Sequence, residues 1–218
     1  MVQIGADWGG MPEIEISRGT LLSTLQATFD VSNDGMIALT SRVRLLGTLG
    51  VPSKMRPVAH GRLQYGLLEM TEIAMALALM NANMQPVLAA RYVTERWDDF
   101  AKLAVSGLNE ALSWSVAGEF RPATPTPIAV IEGNIMKTLG ARSKNDRVED
   151  LPLGEIRLFD DLRGMGARLP TPSAIVIDAK TFMPKLLNLL RGSRHSDEDL
   201  REMMFRLVLS STVDFFSR

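Results

Sequence analysis

Residues 36–65 read MIALTSRVRLLGTLGVPSKMRPVAHGRLQY, and the first half of that stretch keeps a helical period that the second half abandons. Leu39, Val43 and Leu46 recur at spacings of four and three, so one face of a helix is apolar. The same rotation carries Ser41, Arg44 and Thr48 to the opposite side, with Arg42 at the flank. Gly50, Val51 and Pro52 then stop the helix, because glycine suits the C-terminal cap and proline cannot continue the ladder. The next segment, 52–65, holds Lys54, Arg56, Pro57, His60, Gly61, Arg62 and Tyr65. It reads as a hairpin with Gly61 near its tip. Between Gly35 and Leu68 there are five basic residues and no Asp or Glu, which leaves 19 basic against 25 acidic residues elsewhere in a chain of net charge -1. A basic segment in an acidic protein marks a surface suited to phosphate.

Upstream, residues 1–18 contain Gly-Gly, a proline and an alternating EIEI, the pattern of an extended arm. Leu21, Leu22, Leu25 and Phe29 then predict a helix over 20–29, and the Ser-Asn-Asp-Gly within 31–35 predicts a turn. Downstream, Thr71 reads as the cap of a buried helix carrying the apolar run 73–80. Pro86 suits the first turn of another helix, where Leu88, Tyr92, Trp97, Phe100, Ala104, Leu108 and Leu112 form a stripe. That stripe predicts one long helix over 86–114, with Gly107 as its weak point and Gly118 as a stop.

The segment RPATPTP, 121–127, carries three prolines in seven positions and reads as a linker. Beyond it, apolar runs at 128–131, 155–159 and 174–177 predict strands, and helices are expected at 135–139, 182–190 and from Ser196 as cap through about residue 215. The expected organisation is an arm (1–18), a helical unit (19–120), a linker (121–127) and a small mixed α/β domain (128–218). The fold class is α+β.

Composition narrows the chemistry. The chain is 46% hydrophobic and 22% charged, as an ordinary globular protein is, and has no cysteine, which excludes disulfides, thiolate metal sites and thiol nucleophiles. The first ten residues lack the blocks of a signal peptide, and the run 73–80 is too short to span a bilayer, so a cytoplasmic protein without a membrane partner is expected. His60 and His195 alone make no zinc set. There is no phosphate-binding G-x-x-x-x-G-K-[ST] and no G-x-S-x-G elbow, and Gly164 with Gly166 lacks the third glycine of a dinucleotide fingerprint. Asp160 and Asp161 are neighbours, which in a strand would face opposite sides. Asp178, at the end of AIVID, stands where α/β folds often place sites, and reads more readily as a cap for the helix after it. No enzyme activity, cofactor or metal is expected.

Helix, turn, helix, basic hairpin, buried helix and long helix succeed one another here, and SRVRLLGTLGVP with HGRLQY gives that order local detail. In this respect residues 20–97 resemble the winged helix-turn-helix domain of the mercury-resistance regulator (MerR) family. Arg44, the exit Gly50, Val51 and Pro52, and the wing residues Gly61, Arg62 and Tyr65 carry the resemblance. Leu45 and Leu46 stand where that family places aromatics, and Leu63 and Gln64 where a further basic residue is usual.

The resemblance implies a homodimeric regulator of double-stranded DNA. A helix fits the major groove, where arginine pairs with guanine, and a basic hairpin reaches neighbouring phosphates. Ser41, Arg42, Arg44 and Thr48 are the helix candidates; Lys54, Arg56, His60, Arg62 and Tyr65 are those of the wing, Tyr65 chiefly for packing. The long amphipathic helix is a route to pairing with a copy of itself or, equally, completes its own domain's core. The alternatives are a protein-binding adaptor and a regulator whose C-terminal domain senses a small molecule.

Overall fold

The computed structural model describes residues 15–53, 64–112, 128–132, 153–159, 174–191, 196 and 198. Among them are six α-helices and two small antiparallel sheets, an α+β fold that is mostly helical. Strand β1 (Ile16–Ser17) pairs with β2 (Gln64–Tyr65), Ile16 opposite Tyr65. Helix α1 (Arg18–Thr28) starts on Ser17, whose hydroxyl oxygen accepts from the Thr20 N–H at 3.2 Å. Helix α2 (Met36–Thr48) comes after a short 3-10 turn, Asn33–Gly35. Helix α3 (Leu67–Asn81) is apolar on every side and correspondingly buried over 70–79.

These three helices end alike. Each passes into a residue with left-handed backbone, Asp30 (φ 51°), Gly50 (φ 84°) and Asn83 (φ 64°). The residue beyond then turns its N–H back onto the last turn: Val31 to Gln26, Val51 to Leu46 and Met84 to Leu79, at 2.9, 3.0 and 3.1 Å. Carbonyls that the helix leaves unpaired are satisfied in this way, and the buried Val51 and Leu46 close the apolar contact that accompanies the motif.

Two expectations are corrected. Thr71 does not cap α3, which begins four residues earlier at Leu67, after Gly66. Instead its hydroxyl donates to the Leu67 carbonyl at 2.7 Å inside the helix, and the Glu69 carboxylate accepts from the Gly66 N–H at 2.9 Å. The long helix is also two: α4 (Pro86–Glu95) and α5 (Trp97–Leu112) meet at Arg96 (φ -124°, ψ 31°). Asp98 and Asp99 supply negative charge to the first turn of α5, where the exposed N–H groups favour it. Both helices bury their stripe, Ala89, Tyr92 and Val93 in one and Phe100, Leu103 and Ala104 in the other, in the chain's own core.

The second sheet has the order β4 (Ile156–Phe159), β3 (Ile128–Glu132), β5 (Ala174–Asp178), every pairing antiparallel. The central strand is the most buried, and the sheet packs against α5. Asp178 does act as a cap: its carboxylate accepts from the Lys180 N–H at 2.9 Å and opens a 3-10 turn, Ala179–Thr181, ahead of α6 (Met183–Arg191). Residues 121–127 and the helices expected at 135–139 and after Ser196 lie outside the described residues, apart from Glu198 in helical conformation. Apolar residues from both sides of 121–127 share one core, Leu186, Leu187 and Ile131 clustering with Leu21 and Leu25.

Gly107 shows how closely these parts approach. A Cβ there would stand 2.9 Å from the Ala179 carbonyl oxygen, so α5 can cross this turn only with a glycine at the crossing. Tyr92 makes a second tie. Its hydroxyl oxygen accepts from the Gly154 N–H at 2.7 Å, and burial pushes its phenol above the ordinary value of 10.0.

Candidate nucleic-acid interface

Helix α2 has the two faces its sequence calls for. Leu39, Val43 and Leu46 are buried, while Ser41, Arg42, Arg44 and Thr48 are exposed on the outward side. Among the described residues, no ion pair engages Arg42 or Arg44. The hydroxyls are partly committed: Ser41 donates to the Ile37 carbonyl at 2.9 Å and Thr48 to that of Leu45 at 2.7 Å. What each then offers outward is its acceptor lone pairs. Two apolar side chains share this exposed side, Ile37 at 80% and Leu45 at 41% exposure. Sequence reasoning passed over Ile37, although its place outside the Leu39, Val43, Leu46 stripe was the available signal.

The turn that aims α2 is tightly specified. The Gly35 N–H reaches the Ser32 carbonyl at 2.9 Å and its hydroxyl at 3.3 Å, and the Gln26 side-chain amide donates to Asn33 at 3.0 Å. A Cβ on Gly35 would lie 2.7 Å from a Val31 methyl, so the residue before α2 has no room for a side chain.

Lys54, Arg56, His60 and Arg62 lie outside the described residues. The two ends of their segment are described, and both are fastened to α3. At the start, the Ser53 N–H and hydroxyl each donate to the Glu72 carboxylate at 2.7 Å. At the finish, β2 pairs with β1 and the Gly66 N–H donates to Glu69. Glu69 and Glu72 are three residues apart on one helix, neighbours on a single face about 5–6 Å apart at Cβ. Ser53 and Gly66, the described residues at either end, are thus both held at this part of α3. Strand β2 takes β1 as its partner, so the exit is held by the N-terminal strand.

Tyr65, placed among the wing candidates chiefly for packing, is 5% exposed and belongs to the core. Glu72, 3% exposed, was missed from sequence. Its signal was a charged residue at the head of an otherwise apolar run, which demands a buried partner.

Among the described residues no cluster of three metal-ligating side chains occurs, and no helix is long and apolar enough to cross a membrane. Comparison with known protein families, with curated proteins and with solved structures finds no match. The case for a class of protein therefore rests on the residues themselves.

Proposed function

We propose that the protein is a sequence-specific regulator of transcription that binds double-stranded DNA as a homodimer through a winged helix-turn-helix. In this reading α2 enters the major groove, Arg44 and Arg42 contact base edges and phosphate, and Ser41 and Thr48 accept from donors at the groove. Lys54, Arg56, His60 and Arg62 grip the flanking backbone. The observation that carries the reading is the exposed face of α2, with two arginines free of carboxylate partners among the described residues, succeeded directly by an acid-free basic segment whose ends are pinned together on α3. A module of this size reads few base pairs, and two half-sites on a dimer are the usual remedy. Since α4 and α5 bury their stripes within the chain, the dimer needs another surface than the one long helix expected from sequence.

The test selects bound duplexes from random DNA and measures affinity by fluorescence anisotropy. Arg44→Ala should cost about 1–3 kcal/mol and relax preference at one base position, and Arg62→Ala should weaken all duplexes alike and flatten the log–log salt slope by about 0.9. Unchanged affinity in both variants removes the proposed surface.

Exposure of Ile37 at 80% favours a second reading, a protein-binding adaptor on the same scaffold. Salt separates the two, because release of counterions from DNA gives a steep slope that an apolar protein contact lacks.

A further inference from the structure

Helix α1, helix α3 and strand β5 all end around one cleft, with α6 beginning on its far side. The cleft holds about 350 Å³, within the size of small-ligand sites, and is open to solvent. Its wall includes the stacked rings of Phe29 and Phe182, with centroids 5.7 Å apart, and the side chain of Val176. At the rim, Lys185 and Asp30 hold each other at 2.7 Å and cancel in charge. That leaves the half-buried Asp178 as the uncompensated charge of the lining among the described residues.

Backbone electrostatics has the same sign. The carbonyl ends of α1 and α3 carry partial negative charge, against the one positive end brought by α6. A fourth observation is independent of charge. Thr28 lines the cleft, is 2% exposed, and its Oγ1 has no hydrogen-bond partner among the described residues. A buried hydroxyl in that state is a cost that an entering polar group can relieve.

We propose that this cleft binds a small organic cation, an ammonium or amidinium carried on an apolar ring. Asp178 and the two helix ends attract the charge, Phe29 and Phe182 take the ring by stacking and cation–π contact, and the Thr28 hydroxyl gains a partner. An anion of the same shape meets the carboxylate instead. The inference is independent of DNA binding, since occupancy is read from the heat stability of the chain alone.

Thermal unfolding of the full chain with benzamidinium, phenethylammonium or benzoate as probe tests it. Either cation, at about ten times its Kd, should raise Tm by about 3–5 °C, and benzoate at equal concentration should leave it unmoved. Two variants locate the effect. Val176→Trp adds bulk at a position 39% exposed and should abolish the shift by filling the cleft. Asp178→Asn keeps a residue able to cap the turn and should reduce the shift by weakening the pull on charge. If Val176→Trp lowers the Tm of the free chain, Asp178→Asn decides alone. An equal shift with benzoate, no shift with either cation up to 10 mM (roughly the weakest binding of interest), or a full shift in Asp178→Asn overturns the proposal.

Discussion

Gly107→Ala and Gly47→Ala are the same chemical change in two helices, and their effects should have opposite signs. Removing a glycine restricts the unfolded chain equally in both cases, so the difference between the variants reports the folded state. At Gly47 nothing lies within 4 Å of an added Cβ. Helix propensity then acts unopposed and should stabilise by about 0.5–1 kcal/mol, the lower part applying near a helix end. At Gly107 the added Cβ would stand 2.9 Å from the Ala179 oxygen, 3.0 Å from its carbonyl carbon and 3.0 Å from the Met183 Cβ. Two of those atoms are backbone, in a turn capped by Asp178, and cannot swing aside as a side-chain tip does. Overpacking of this kind costs about 1–3 kcal/mol, and with three close atoms the upper half of that range applies. After the propensity gain of about 1 kcal/mol, Gly107→Ala should destabilise by about 1–2 kcal/mol.

Thermal unfolding resolves the pair. For a chain of this size, Tm should fall by roughly 2–8 °C in Gly107→Ala and rise by roughly 1–4 °C in Gly47→Ala. Urea midpoints should move the same way with unchanged slope. A Gly107→Ala chain that melts above the parent would refute the close crossing of α5 over the turn before α6, and with it the placement of the second sheet against the helical core.

Three further outcomes rest on single capping or buried groups. Asn83→Gly should stabilise by about 0.5–1 kcal/mol in urea unfolding, since glycine takes the positive φ at the end of α3 without the steric cost of a Cβ; a loss of stability would count against that cap. Glu72→Ala should destabilise by about 2–3 kcal/mol, because it leaves both Ser53 donors unpaired, whereas Arg44→Ala on the exposed face should stay within about 0.5 kcal/mol by the same measurement. Tyr92 has its folded pKa raised above 10.0 by burial, so its contribution is whole below that pH and is lost as pH climbs through the raised value. Alkaline unfolding of Tyr92→Phe should therefore show less loss above pH 10.0 than the parent, from a start about 1 kcal/mol lower for want of the Gly154 bond; parallel pH curves would contradict this.

Much of the fold is legible in the sequence where one signal dominates. The Leu39, Val43, Leu46 period places α2 and its faces correctly, and the apolar runs place three strands within a residue or two. Gly50 is readable as a stop because no other residue enters left-handed backbone so cheaply. Asp30 and Asn83 do the same work, yet their side chains have other uses, so identity alone does not announce it. The division of 86–112 into two helices escapes the sequence for a related reason. An apolar stripe persists through a kink, and the adjacent Asp98 and Asp99, which favour a new N-terminus, are weaker evidence than the stripe. Gly107 reads as a weakness in a long helix, because the Ala179 backbone that makes glycine necessary is 72 residues away in sequence. For the site, the outward placement of Ser41, Arg42, Arg44 and Thr48 can be derived from period, while the burial of Tyr65 depends on β1, a partner whose register no local pattern gives.

The two glutamates beside the basic segment bear on the proposed DNA binding, since carboxylates near phosphate repel it. Their bonds within the chain account for them otherwise. Glu72 is 3% exposed and takes the Ser53 N–H and hydroxyl, and Glu69 takes the Gly66 N–H, so both bind donors at the two ends of the segment. A segment whose ends are already held has less conformational freedom to lose when it meets a partner. The acids and bases of this region thus divide their labour by position. Carboxylates on α3 hold Ser53 and Gly66, the described residues at either end, and the stretch between them carries Lys54, Arg56 and Arg62 in sequence. On the proposed reading, replacing Glu69 and Glu72 together by glutamine, which leaves every lysine and arginine in place, should weaken duplex binding measured by anisotropy, and unchanged affinity would remove these ties from the reading.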